Sequence, residues 1–241
     1  MPRISIIIPC YREAKRIPET LPRLAAYLDT ISNRGITCEV LLIVERSPDN
    51  TLSIAREIAD GRPGWHAIDN QVHKGKGYAV RTGMLRAHGD FACFMDADLS
   101  TDPTAVVNAL SLLDNHPEFD IVAGDRRHPQ SVITRNQGKS RITLSGIFNR
   151  SVRMLFPRSV KTRDTQCGFK FFRIAAAKEL FSYARIDGFA FDVEIFTLAH
   201  HLAHPIQMMS VHWKDAPHST VRALRHGIQM YRDLLRLRFF Q

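Results

Sequence analysis

No run of apolar residues in this 241-residue chain approaches the length of about 18–20 that crosses a bilayer, so no transmembrane span is expected. The opening M-P-R-I-S-I-I-I-P lacks both a long apolar h-region and a small-residue cleavage site, and a secretory signal is not expected either. Cysteine is scarce. Cys10, Cys38, Cys93 and Cys167 are scattered, with no pair at metal-ligand spacing, which points to a reduced, cytoplasmic setting. There is no internal repeat and no low-complexity linker. With 44% hydrophobic and 24% charged residues, the composition is that of a globular protein and excludes disorder, collagen and coiled coil. The length fits one large domain or two small ones.

Negative charge is missing from one long stretch. Residues 1–120 hold 13 basic and 16 acidic side chains, whereas residues 121–241 hold 20 and 8. Between Arg126 and Arg163 there are ten basic residues and no acidic one. A solubilising face mixes both signs; an asymmetry of this size favours an anionic partner, whether nucleic acid, a membrane surface or substrate phosphates.

The first half alternates strand-like and helix-like segments. Ile4–Ile8 is a β-branched run ended by Pro9, and Val40–Val44 and Phe91–Met95 read as further buried strands, with a shorter one at His66–Ile68. Helical spacing covers Pro18 to about Ser32, Thr51–Ala59 (capped by Asp49 or Asn50) and Tyr78–His88. This order predicts a parallel, doubly wound sheet, whose ligands bind beyond the carboxyl ends of the strands. Pro9-Cys10-Tyr11, Glu45-Arg46-Ser47, Asp69-Asn70 and Asp96-Ala97-Asp98 fall at such ends.

Asp96 and Asp98 follow the apolar strand F-A-C-F-M and, two apart, can point to one side. Two carboxylates held together repel unless a cation sits between them, and hard oxygen ligands suit Mg²⁺ or Mn²⁺. The bland alternative is a solvated turn capping a helix. His73-Lys74-Gly75-Lys76-Gly77 offers glycines for close backbone approach, lysines for anions and a following helix N-terminus.

The series I-I-I-P-C-Y-R-E-A, K-G-K-G-Y-A-V-R-T-G, M-D-A-D-L-S, V-A-G-D-R and D-T-Q-C-G-F-K-F-F resembles, in family order, the family 2 inverting glycosyltransferases. More narrowly it resembles the dolichyl- or polyprenyl-phosphate sugar synthases. The resemblance implies an α/β fold: a single GT-A, Rossmann-like nucleotide-sugar transferase domain over residues 1–220, with a mixed, mostly parallel sheet. Residues 1–100 form its nucleotide-binding half and 101–220 its acceptor-binding half, and a basic amphipathic helix follows at 221–241. It implies a nucleotide pocket at Pro9, Tyr11, Glu13, Lys74 and Gly75, a metal pair at Asp96 and Asp98, and Arg126 facing the donor phosphates. Arg141 and Ser145 match an acceptor-phosphate pair, Asp164, Gln166 and Lys170 a closing loop whose lysine reaches the phosphates, and His218 and Ser219 a donor-covering segment. Asp192 and Glu194 match an acidic pair near the sugar. The sequence departs from the family where V-D-D-G-S is usual: it reads Val44-Glu45-Arg46-Ser47-Pro48-Asp49, making Glu45 the candidate acceptor for a base N–H.

The expected reaction is metal-assisted, inverting hexose transfer to a polyprenyl phosphate. The D-T-Q-C-G-F-K stretch looks closer to the glucosyl branch, which implies UDP-glucose ahead of GDP-mannose. A phosphate acceptor is already ionised; a hydroxyl acceptor would need a base, for which Asp192 is the candidate. Ile133–Val160 and Val221–Phe240 interleave bulky apolar and basic residues, as a peripheral contact with an anionic membrane requires. Two other readings stay open: the same fold acting on a soluble hydroxyl, and a basic nucleic-acid- or anion-binding module. The second leaves Asp96 and Asp98 unexplained, so no nucleic-acid partner is expected.

Overall fold

A computed structural model describes residues 2–135, 139–215 and 223–239, without the side chains of residues 135, 139–142, 144 and 223–226. The elements, in order, are β1 (Ile4–Cys10), α1 (Ile17–Ser32), β2 (Cys38–Val44), α2 (Thr51–Asp60), β3 (Trp65–Asp69), α3 (Lys76–Arg86), β4 (Phe91–Met95), α4 (Ala105–Asn115), β5 (Ile121–Asp125), β6 (Val132–Arg135), α5 (Lys139–Leu155), β7 (Phe169–Arg173), α6 (Ile174–Tyr183), α7 (Phe191–His201), β8 (Ile206–Ser210), β9 (His212–Lys214) and α8 (Ala223–Phe239).

The main sheet runs β3-β2-β1-β4-β7-β5-β8, and β6 pairs with β9 beside it. Every neighbouring pair is parallel except those made by β7, which is antiparallel to both β4 and β5. The mixed, mostly parallel sheet expected from the sequence is therefore present. The period-two pleat divides β1 between two cores: Ile4, Ile6 and Ile8 pack under α1, α2 and α4, while Ile7 packs with α3, α6 and α7. Helices thus cover both faces, which is why the central strands read as unbroken apolar runs.

The reversed strand positions the site. β7 starts where β4 ends, with Phe169 opposite Met95, so residues 164–168 are delivered to the rim formed by the carboxyl ends of β4 and β5. A helix–strand pair of either direction would pack equally well; only the reversed one brings this loop beside Asp96.

Three local expectations need correction. Pro9 does not end β1, which continues to Cys10; pairing with β4 stops at Ile7, so on that side no ladder needs a Pro9 N–H. The basic stretch from Ile133 is not one helix, because Val132–Arg135 pairs with β9 before α5 begins at Lys139. At α2 the cap position is Asn50 without a side-chain bond; Asp49 Oδ1 instead accepts from the Thr51 N–H and hydroxyl, at 3.3 and 2.6 Å. No helix among the described residues is long and apolar enough to cross a membrane.

Candidate active site

Asp96 and Asp98 leave β4 at the rim. Asp98 Oδ1 accepts the Ser100 N–H at 2.9 Å, and the chain turns sharply at Leu99, whose φ is 48°. Desolvation, and then the neighbouring Asp96 charge, push the Asp98 carboxyl above its usual range. The other aspartate is fixed from behind: a Cβ at Gly168 would overlap Asp96 Oδ2, and the Asp96 N–H donates to the Gly168 carbonyl at 3.2 Å. Only glycine lets the 164–168 loop approach a carboxylate so closely. Asp98 lines a cleft of about 800 Å³ whose walls carry Arg12, Lys15, Arg16, Arg23 and Lys214. Glu19, Asp49, Asp102 and Asp215 share that lining, so the cleft is mixed in charge rather than cationic, and its volume suits a nucleotide-sized ligand.

Lys76, the first residue of α3, fills the cation requirement of the pair in this structure. Its Nζ lies 2.5 Å from Asp96 Oδ1 and over the rings of Phe94 and Phe191. The preceding Gly75, at φ 131°, has its α-carbon so close to the Asp187 carbonyl that a Cβ would sit 2.7 Å from the oxygen. The loop before α3 is thereby clamped against residues 186–188. Sequence reasoning had seen Lys76 only as part of an anion-attracting loop; its place at the start of α3, next to a glycine, was the available signal.

Several expected nucleotide contacts are occupied internally. Glu45 is buried: its Oε1 accepts the Lys74 and Gly75 N–H groups, both at 2.9 Å, and its Oε2 lies 2.8 Å from His73 Nδ1. It organises the loop before α3 and presents no open edge to a base, so the expected Glu45–base contact is not found. His73 stacks on Tyr11 with ring centroids 3.7 Å apart and planes 3° off parallel, and the Arg12 guanidinium lies 5.5 Å from the same Tyr11 ring. Glu13 is buried under Arg16, whose Nη1 reaches both oxygens at 2.8 Å. Desolvation, reinforced by Asp98 and Asp96 and opposed by Arg16, pushes the Glu13 carboxyl up to about 7. Pro9 stays within β1, and the exposed Lys74 places its ammonium 4.7 Å from the Tyr78 ring.

On the opposite wall, Arg126 forks onto Asp164 through Nε and Nη2 at 2.8 and 2.6 Å, and its guanidinium lies 5.4 Å from the Trp213 ring. Lys170 does not reach a phosphate. It is buried, and its ammonium is consumed by the Thr165 and Cys167 carbonyls at 3.0 and 3.2 Å and by Asp192 Oδ1 at 2.5 Å. Asp192 is correspondingly unavailable as an open base; burial raises its carboxyl above the usual range against the pull of Lys170 and Lys76. Glu194 accepts the Arg185 and Ile186 N–H groups at 2.8 Å each and braces the 185–188 loop. Gln166 donates to the Phe189 carbonyl at 3.3 Å. Ser145 lies in α5, where its carbonyl accepts from Asn149. His218, Ser219 and the side chain of Arg141 lie outside the described residues.

The fold and rim define a doubly wound α/β protein with an acidic pair at the exit of β4, Asp98 of which lines the cleft. Residues 5–181 match the family model described as glycosyl transferase family 2. The chain is 33% identical to the dolichyl-phosphate β-glucosyltransferase of Drosophila melanogaster over 96% of this chain and 73% of that one. It is 30% identical to the human protein of the same name, over 98% and 75%. Among solved structures, Mycobacterium tuberculosis glucosyl-3-phosphoglycerate synthase in complex with Mn²⁺, UDP and phosphoglyceric acid superposes with a TM-score of 0.70. The identity there is 16%, over 98% of this chain and 77% of that one. The chain belongs to glycosyl transferase family 2: it is a glycosyltransferase with the GT-A fold.

Proposed function

We propose that the protein transfers glucose, with inversion, from UDP-glucose to a dolichyl or related polyprenyl phosphate, using Mg²⁺ or Mn²⁺ held by Asp96 and Asp98. The observation that carries this reading is the aspartate pair at the exit of β4, with Asp98 lining a cleft of mixed charge that also carries Arg12, Lys15, Arg16 and Lys214. The names of the relatives supply the sugar and the lipid acceptor.

The residues fit a divalent cation. Asp98 is held above its usual range first by desolvation and then by the neighbouring Asp96 charge, which a bound cation would offset. Hard carboxylate oxygens suit Mg²⁺ or Mn²⁺, ions that take their remaining ligands from substrate phosphates and water. Once bound, such an ion neutralises the diphosphate and stabilises the charge that collects on it. The cleft's arginines and lysines bind the same group by charge-assisted hydrogen bonds. An acceptor phosphate oxygen then attacks the anomeric carbon from the face opposite the nucleotide. The carbon–oxygen bond to the diphosphate breaks as the new one forms, and its electron pair leaves on the nucleoside diphosphate. The attacking phosphate is already ionised and needs no general base. Burial of Asp192 against Lys170 favours that acceptor over a hydroxyl.

The acceptor reading also accounts for α5 and α8, which pack together through the Phe148–Tyr231 edge contact and a 3.1 Å contact between the Ser151 and Tyr231 hydroxyls. Large apolar side chains remain in water along this pair, Met154 at 74% and Phe239 at 66% exposure among them, beside exposed Arg150, Arg232 and Arg236. Apolar residues ringed by arginines suit the surface of an anionic bilayer, where a lipid phosphate is presented.

Incubation with dolichyl phosphate and radiolabelled UDP-glucose or GDP-mannose tests the activity directly. Label should move from UDP-glucose into the organic phase; label confined to the aqueous phase would sink the lipid acceptor, and transfer from GDP-mannose alone would sink the donor. For the membrane face, the protein should co-sediment with vesicles containing phosphatidylserine and lose most of that binding as Met154→Asp/Phe239→Asp. Equal recovery of both proteins with the vesicles would remove α5 and α8 from the membrane contact.

A further inference from the structure

Asp96 has a cation of the chain's own beside it: Lys76 Nζ sits 2.5 Å from Asp96 Oδ1. The other oxygen, Oδ2, is backed by Gly168, where a single Cβ would not fit, which leaves Oδ1 as the oxygen turned to the lysine. The Lys76 side chain is mostly shielded, with the Phe94 and Phe191 rings 5.8 and 5.9 Å from its Nζ. Beneath it Gly75 packs closely on the Asp187 carbonyl, with no room there for a Cβ.

A cation held by Asp96 and Asp98 would compete with Lys76 for Asp96. The ammonium would then lose its partner oxygen beside a second cation, with Asp192 already bonded to Lys170, and would need a new anion. A nucleoside diphosphate provides that anion. We propose that Lys76 is an exchangeable counter-ion: it holds Asp96 while the donor is absent, cedes it to the divalent cation when the diphosphate arrives, and so makes metal and donor binding mutually dependent. This rests on the donor and metal reading above. By linkage, whatever factor the nucleotide adds to metal affinity, the metal adds to nucleotide affinity.

The test is Mn²⁺ binding to the full chain, followed by electron paramagnetic resonance of the free ion, with and without UDP or GDP. The wild-type protein should bind Mn²⁺ weakly alone and at least about tenfold more tightly with its nucleotide. Lys76→Met, which keeps the apolar stem, should bind Mn²⁺ alone about tenfold more tightly than wild type, with the nucleotide's enhancement largely lost. Lys76→Arg, which keeps the charge, should remain weak without nucleotide. If Lys76→Met melts cooperatively near the wild-type midpoint and its nucleotide-free Mn²⁺ affinity is unchanged, the counter-ion role is overturned while the donor and metal reading stands. If wild type takes up no Mn²⁺ even with either nucleotide, the reading beneath it falls as well. Should the methionine variant fail to fold, Lys76→Gln carries the same comparison.

Discussion

Asp98→Ala should reduce glucosyl transfer by about 10³-fold or more while leaving the protein folded and, near neutral pH, more stable. The loss follows from removing one of the two carboxylates at the exit of β4, the one that lines the cleft. The gain in stability follows from the electrostatics of the donor-free site. Desolvation and the charge of Asp96 raise the Asp98 carboxyl above its unfolded-chain value, so the folded state holds that proton more tightly than the unfolded chain does. Ionised Asp98 therefore costs stability above its folded pKa, and the cost fades as pH falls through the unfolded value. The alanine variant should melt higher than wild type at pH 7, with the difference shrinking toward pH 4. Thermal melts at both pH values, alongside the transfer assay, check the two halves of this prediction. A variant that retains transfer at more than a tenth of the wild-type rate, or that melts lower at pH 7, would remove Asp98 from the role assigned here.

The ease of reading this protein from its sequence varied with the range of the interaction. β1, β2, β4 and their helices are legible because burial on both faces leaves an unmixed apolar run, and α1 repeats at helical spacing. Asp96 and Asp98 are legible for the same reason: two acids, two residues apart, end a wholly apolar strand, although a local turn also uses Asp98 to accept the Ser100 N–H. The direction of β7 is not, since F-K-F-F-R packs the same way in either sense and only its pairing with Met95 and Ile121 decides. The carboxylates were harder. Glu45, Glu13, Asp164 and Asp192 each sit where the sequence suggests a ligand, yet each is turned onto a partner from this chain, at separations from three to thirty-eight residues. Nothing in the identity of a glutamate reports whether its nearest donor is a substrate or a backbone N–H. Lys76, expected in a loop that attracts anions, is instead turned onto Asp96, with Gly75 packed against residue 187.

Lys170→Met should cost about 3–5 kcal/mol of folding stability, because it strands a buried acid and two carbonyls at once. Lys170 stands on the middle of β7, between β4 and β5. Its ammonium has three hydrogens and three acceptors, the Thr165 and Cys167 carbonyls and Asp192 Oδ1. All three hold the 164–168 loop and the first turn of α7 to the underside of the sheet's rim. The lysine had been expected to reach the donor phosphates, and the two roles separate cleanly. A phosphate-binding lysine, lost, would raise the KM for donor and leave the unfolding midpoint alone. The lysine seen here, lost, lowers the midpoint, and activity fails with it because Gly168 no longer backs Asp96. Removing both charges as Lys170→Met/Asp192→Leu should recover part of the loss, since an apolar pair leaves no uncompensated charge behind. Urea unfolding of the two variants and wild type measures the coupling. A Lys170→Met midpoint equal to wild type, with a raised donor KM, would return this lysine to the phosphates and leave Asp192 free to act as a base.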